Sequence, residues 1–330
     1  ANRDAACSAF GSYAFDGSGP GTIDLSAQLS RADGRQAERY LPATVSGGVR
    51  GWLRSAVVAG ESNDVRLRLR GDLRDFPFVD PASGQFQVVA RLEKAALDYV
   101  AGWPRIEAIE GEMIFEREKV EVVGRSAAIL GAKLSGVRVS IPSLLAPETV
   151  LHISGAAEGP SAEFLRFVQE SPVRRMVSGF TDAMSATGRG RLRLKLELPL
   201  AALERSRVDG EYAFSANSVI VHPRLPPLER AGGRVAFTED SISVRDVKGT
   251  MLGGATTLSG GTQPDGQLVI NAQGDATVTG LRGVFDHPWR RHITGGASYS
   301  AAVTLRGRET RIAFESGLRG VASDLPPPLA

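Results

Sequence analysis

The chain has 330 residues, enough for two ordinary domains or one long array of stacked units, and its 42% hydrophobic and 23% charged content is that of a folded protein. Its 39 basic and 37 acidic residues nearly cancel to a formal +2 and are spread along the chain, which removes the electrostatic case for a nucleic-acid partner. The single cysteine, Cys7, excludes an intrachain disulfide framework and a thiolate zinc site.

From the N-terminus, the turn-forming stretch Gly17 to Gly21 precedes an alternating strand with Ile23, Leu25, Ala27 and Leu29 on one face. Residues from about Gln36 to Ala59 then place Tyr40, Val45, Val49, Trp52, Leu53 and Val57 at helical spacing, with Pro42 marking an early bend. Val65, Leu67 and Leu69 alternate with Arg66, Arg68 and Arg70, and Val137, Val139 and Ile141 repeat the period of two. A second helical stretch, about Ser161 to Met184, opens at Pro160, carries Phe164, Leu165, Phe167 and Val168, and is expected to split at Pro172. The cleanest strand is Arg191 to Leu198, where four leucines alternate with Arg191, Arg193, Lys195 and Glu197. A third helical candidate lies near Leu281 to Ile293, before the strand of Tyr299, Ala301, Val303 and Leu305. With glycine pairs between the runs, the reading is a long antiparallel meander of about fifteen to eighteen strands.

The pattern between Ile106 and Gly131 recurs without a gap between Leu228 and Gly253. One fixed offset carries Gly111 onto Gly233, Phe115 onto Phe237, Val120 onto Ile242, Val122 onto Val244, and Ile129-Leu130-Gly131 onto Met251-Leu252-Gly253. Pro172-Val173-Arg174-Arg175 likewise parallels Pro288-Trp289-Arg290-Arg291. Stacked supersecondary units follow from such an echo. The expected organisation is the end of a preceding β unit at 1–40, a helix plus hairpins at 41–160, a second such unit at 161–279, and the start of a third at 280–330.

Catalysis needs convergent side chains, and the sequence offers none in a recognisable pattern. His152, His222, His287 and His292 are scattered, and the five-residue step from His287 to His292 does not match a helical metal pair, so no metal and no cofactor is expected. Gly17-Ser18-Gly19-Pro20-Gly21 lacks the lysine of a P-loop and loses an amide donor at its proline, which makes it a hairpin connection. Arg174-Arg175 and Arg290-Arg291 end amphipathic stretches; they read as solvated faces, with a lipid-headgroup or partner role as the sharper alternative.

Tyr40-Leu41-Pro42, Trp52-Leu53, Gly60, Leu69-Arg70-Gly71-Asp72-Leu73 and Asp75-Phe76-Pro77-Phe78, taken in order, resemble the central region of the YhdP family of AsmA-like proteins. Gly188 to Leu200, Glu315 to Gly320 and Leu325-Pro326-Pro327-Pro328-Leu329 add to the resemblance. It implies a mainly β fold, a long curled antiparallel sheet forming a β-groove from repeated hairpin units with a few short amphipathic helices. It further implies a non-enzymatic segment of an envelope protein, periplasmic and anchored to the inner membrane by a segment outside this chain. Such a segment moves phospholipids between inner and outer membranes; its partners are the acyl chains and, through the parent chain, both membranes. From alternation alone, the groove lining is expected at Phe115, Val120, Val122, Leu192, Leu194, Leu196, Phe237, Ile242 and Val244. The competing readings are a sealed structural or assembly scaffold of the envelope and a carbohydrate-active β-enzyme, the latter disfavoured because Asp and Glu mostly occupy outward positions or turns.

Overall fold

Alternation becomes strand almost wherever the sequence carries it. The structure is a computed structural model that describes residues 1–41, 45–223, 225–282, 292–306 and 309–324. The chain is mainly β, with few short helices, and its strands are antiparallel wherever their register is described. It divides into two units: unit 1, Ala1–Ala157 with Leu194–Val208, and unit 2, Glu158–Arg193 with Asp209–Ala330.

Unit 1 opens with the hairpin β1 (Ala5–Ala14) and β2 (Thr22–Asp33), followed by a 3-10 turn over Gly34–Tyr40 and helix α1 (Gly47–Ala56). The helix starts where Ser46 Oγ accepts from the Val49 amide, and it stops as the β-branched Val57 turns extended. The helical reading of Gln36 to Ala59 therefore holds for two separate pieces, and Val57 belongs to the next strand; Pro42 lies outside the described residues. Next come β3 (Val57–Ser62) and β4 (Val65–Asp72), both of which pair with β2 and with β5 (Gly84–Leu97), so they are one strand interrupted at Asn63. A meander of β6 (Ile106–Glu116), β7 (Lys119–Ile129) and β8 (Ala132–Ile141) leads into β9 (Val150–Pro160).

Helices α2 (Ser161–Glu170) and α3 (Val173–Met176) follow, interrupted at Pro172 as expected. Unit 2 continues through β10 (Ser185–Pro199), β11 (Arg207–Ile220), β12 (Leu228–Thr238), β13 (Ile242–Met251), β14 (Gly254–Thr262) and β15 (Leu268–Thr277). The short α4 (Val278–Arg282) precedes β16 (Ile293–Arg306), β17 (Glu309–Ser316) and β18 (Val321–Ser323). Of the third helical candidate, Leu281 and Arg282 fall in α4 and Ile293 begins β16, while Pro288, Trp289, Arg290 and Arg291 lie outside the described residues, as do His287 and the Leu325–Leu329 element.

The echoed segments have matching backbones. Leu130 and Gly131 turn with φ of 45° and 79°, Leu252 and Gly253 with 54° and 80°, the paired positive φ of a two-residue type I′ hairpin. The register shifts in β6 between Glu107 and Glu110 and in β12 between Glu229 and Gly232, positions related by the same offset. A second matched irregularity falls between Leu92 and Ala95 in β5 and between Phe214 and Asn217 in β11. Bulges in adjacent strands bend each sheet along a line and increase its local twist.

Little of either unit is sealed. The only large side chains among the described residues that are completely buried are Phe78 and Asn217. Phe78, from the Asp-Phe-Pro-Phe element, lies on the backbone of Gly71 and Gly84, where a Cβ would come within 2.7 and 2.5 Å of its ring. Total accessible surface is 20035 Å² for 35.0 kDa. Two separate compact globules sharing that mass would together expose only about 16,000 Å².

Candidate functional site: an apolar sheet face

Residues directly opposite one another in antiparallel strands project to the same side, so the register fixes what each face carries. In unit 1 one continuous row runs Ala9, Ala27, Leu67, Val88, Phe115, Val120, Ile141, crossing from β1 to β8 through direct pairs. The parallel row two residues along is Cys7, Leu29, Val65, Ala90, Met113, Val122, Val139. Only Ala90 of these fourteen side chains is fully buried. The row between them belongs to the other side and reads Gln28, Arg66, Val89, Ile114, Glu121, Ser140, and the next row on that side, beyond Ala27 and Phe115, reads Ser26, Arg68, Gln87, Glu116, Lys119.

That outer side is neutralised internally. Arg68 donates to the Asp24 carboxylate, Arg70 sits 3.7 Å from it, Arg66 pairs with Asp64 at 2.8 Å, and Arg138 pairs with Glu121. The hydrogen bond from Arg68 holds the Asp24 carboxyl below its ordinary range. One face is thus mainly polar, with Val89 and Ile114 as its apolar patch, and the other is apolar and half open.

Unit 2 repeats the arrangement. Tyr212, Val235, Val244, Gly260, Ile270, Val303 and Ile312 form one row, and Phe237 pairs with Ile242 as Phe115 pairs with Val120. At the end of the meander Ile312 and Phe314 are 41% and 54% exposed. Toward the line of bulges the face closes on itself: Leu228, Ala231 and Val247 are buried with Phe214, Val219, Val244 and Leu258 against them, and Leu252, Ala272, Ala276 and Tyr299 form a second cluster that Leu281 of α4 covers. Tyr299 stays on this apolar side by pairing its hydroxyl with Thr256 at 2.7 Å.

All nine residues expected to line the groove are half-buried. Phe115, Val120 and Val122 lie in the two rows of unit 1, and Val244 lies in the long row of unit 2, with the paired Phe237 and Ile242 one step along the same side. Leu192 of unit 2, and Leu194 and Leu196 of unit 1, are half-buried between the exposed Arg191, Arg193, Lys195 and Glu197. Leu192 shares its side with Gly190, over which the Tyr212 ring lies, so a Cβ there would meet that ring at 2.2 to 2.5 Å. Sequence reasoning missed Tyr212 and Asn217, whose partners lie far away in the chain. Cys7 is exposed. Among the described residues, no three His, Cys, Asp or Glu side chains come together as a metal set, and no helix is long and apolar enough to cross a membrane. The best-formed concavities are open ones beside the β1–β2 hairpin, lined by residues such as Phe15, Asp16, Asp72 and Arg74, away from the rows.

Rows of half-open apolar side chains on one side of an antiparallel meander are what the described residues bring together. This chain belongs to the YhdP family, whose sequence pattern, described as YhdP protein, matches residues 1–330. It is 23% identical over 320 residues to the intermembrane phospholipid transporter YhdP of Escherichia coli strain K12, a match covering 93% of this chain. The chain spans 25% of the length of that relative. No solved structure matches it.

Proposed function

We propose that this chain is a stretch of a periplasmic β-groove that carries phospholipids between the inner and outer membranes by shielding their acyl chains, with the membrane anchor elsewhere in the parent protein. The observation that carries the reading is the unbroken apolar row Ala27, Leu67, Val88, Phe115, Val120, Ile141, half open and flanked on the other side by the polar row Ser26, Arg68, Gln87, Glu116, Lys119. Six strands at about 4.8 Å per strand give that row a span of about 24 Å. Shielding contributes about 0.8 kcal/mol per CH₂ removed from water, so many weak contacts along a row hold a chain while no single one anchors it. Headgroups stay at the wet rim. The lining is Phe115, Val120, Val122, Leu192, Leu194, Leu196, Phe237, Ile242 and Val244, and the chemistry is transport without bond breaking.

The building block in this reading is a helical connection followed by six strands, with boundaries near residues 40, 160 and 280. Residues 34–56, 161–184 and 278–292 are the three long connections, and six strands separate each from the next when β3 and β4 count as one.

The test is photocrosslinking in the intact protein with the probe at Val244 or at Ser243, which points to the other side. Lipid adducts at Val244 alone are expected. No adduct at either, in a folded and active protein, would favour a sealed scaffold, and adducts at Ser243 alone would put the groove on the charged side.

A further inference from the structure

Two residues suffice to join antiparallel neighbours, as Leu130-Gly131 joins β7 to β8, yet the paired strands β9 and β10 are joined through residues 161–184. The first helix of that connection, α2, returns over the apolar side of unit 2. Its leading residue, Ser161, is 3% exposed, and its hydroxyl accepts hydrogen bonds from Tyr212 Oη at 2.7 Å and from Asn217 Nδ2 at 2.5 Å. Asn217, 1% exposed, also accepts from the Arg189 amide at 3.1 Å. Tyr212 is a floor residue, paired directly with Val235 and through it with Val244. The ring of Phe164 stands 5.0 Å from that of Tyr212, which stacks on Phe214 at 5.7 Å.

The seat is polar and buried, but the rest of the helix is not sealed down. Phe164, Phe167 and Val168 share one stripe at helical spacing, and Ser161 is the only residue of α2 that is fully buried. At the seat the stripe rests directly on the floor through Phe164 and Tyr212, and the half-buried Phe167 and Val168 carry it on from there. The helix has no side-chain cap at its N-terminus, and the Ser161 contacts tie that end to the floor, while at the other end Gln169 Nε2 donates to the Thr181 carbonyl at 2.6 Å.

We propose that α2 is a roof over the acyl path of unit 2: chains lying on the Val235–Val244 row pass beside the Phe164–Tyr212 contact and along the Phe167 and Val168 end of the stripe, and the Ser161, Tyr212 and Asn217 hydrogen bonds hold the roof in place. This rests on the groove reading and adds a second wall to it. Hydrogen bonds suit the seat because, in apolar surroundings, they resist exchange with water, whereas apolar contact alone would let the helix slide.

The experiment uses the intact protein with a photoreactive residue at Phe167, at Arg166 on the outer side of α2, or at Val244 on the floor. It is mixed with vesicles of radiolabelled phosphatidylethanolamine and phosphatidylglycerol. Adducts are expected at Phe167 and Val244 and not at Arg166. Combining Ser161→Ala with Tyr212→Phe should lower the yield at Phe167 about fivefold or more, the worth of one hydrogen bond, and leave the yield from a probe at Val120 in unit 1 unchanged. Tyr212→Phe alone keeps the ring and the Asn217 bond, and is the milder form if the double variant does not fold. Adducts at Val244 without any at Phe167 would overturn the roof and leave the groove standing; adducts at neither would remove the groove reading itself. An unchanged Phe167 yield in the folded latch variants would overturn the latch.

Discussion

The two units carry the same frame and use it differently. Along β5 the residues facing the apolar side are Val88, Ala90 and Leu92, with Ala95 past the bulge; the fixed offset puts Gly210, Tyr212, Phe214 and Asn217 at the matching places in β11. In unit 2 those residues seat a helix on the floor. In unit 1 the helix is tied to the loops instead: Trp52 Nε1 donates to the Tyr99 carbonyl at 2.9 Å, and Arg50 donates to the carbonyls of Glu38 at 2.9 Å and Leu41 at 2.8 Å. A bulge frame shared by both units therefore leaves the use of the face to a few side chains, because an amide and a phenol create a polar seat where the matching alanines have no polar group to offer.

The comparison breaks most easily on the floor itself. Val122→Asp in unit 1 and Val244→Asp in unit 2 put a carboxylate on the proposed acyl path, where an unpaired charge is costly, so lipid adducts near each site should fall at least about tenfold. Ser243→Asp, on the wet side, should leave them unchanged. Circular dichroism checks that each variant is folded; equal loss from all three would show that the two sides do not differ in function.

The seat comes next in size. Asn217→Ala leaves the Ser161 hydroxyl and the Arg189 amide short of a partner in a buried place, a cost of about 1 to 3 kcal/mol. Ala95→Asn, its counterpart in unit 1, gains no such partners. Hydrogen exchange resolved by segment should show faster opening at 161–170 for Asn217→Ala; protection unchanged there would mean the helix is held by its apolar stripe.

Most of the frame was legible in the sequence because it rests on short-range signals. Period-two alternation placed the strands of Leu25, Leu67, Val139 and Leu194, and the Leu-Gly repeat marked two hairpin turns. The echo from Phe115 to Phe237 falls on matched pairs, Phe115 with Val120 and Phe237 with Ile242. What stayed hidden depends on distant partners. Nothing local marks Tyr212 or Asn217 as a seat, since Ser161 is 51 and 56 positions away. Phe78 stood in the sequence only as part of the Asp-Phe-Pro-Phe element, and nothing local marks it as buried, because its ring lies against Gly71 and Gly84. Helical periodicity ran past Ala56 into Val57 because β-branched residues fit both patterns until a neighbouring strand decides.

A smaller contrast lies in the two matched turns. Leucine at positive φ is strained, and asparagine tolerates it, so Leu130→Asn should stabilise unit 1 by about 0.5 to 1 kcal/mol. Leu252 has the same backbone but is buried against Ala272, Ala276 and Tyr299, and Leu252→Asn should instead destabilise by about 2 kcal/mol. Denaturant midpoints of the two variants should move in opposite directions; a shift in the same direction would mean that the turns differ in more than burial.

The smallest expected effect separates the two helical connections by acid. In unit 2 the Asp182 carboxyl is held below its ordinary 3.8, first by the hydrogen bonds from Arg174, at 2.8 and 2.6 Å, and then by its charge. In unit 1 Glu38 is held below its ordinary 4.5 by Arg54 at 3.2 Å in the same way. A depressed carboxylate contributes stability that is complete above its unfolded value and is lost as pH falls through the folded one. Neither connection should therefore respond between about pH 6 and 8, and on acidification the 34–56 segment should begin to loosen at a higher pH than 161–184. Both pairs are solvent-exposed, so the effect is weak and fades with salt. Peptic cleavage across the acid range, compared with Arg54→Gln and Arg174→Gln, reads each connection separately. If Arg174→Gln leaves the acid-induced cleavage of 173–184 where it was, the Asp182 pair contributes nothing to holding that connection, and the Gln169 hydrogen bond to the Thr181 carbonyl is what ties it to α2.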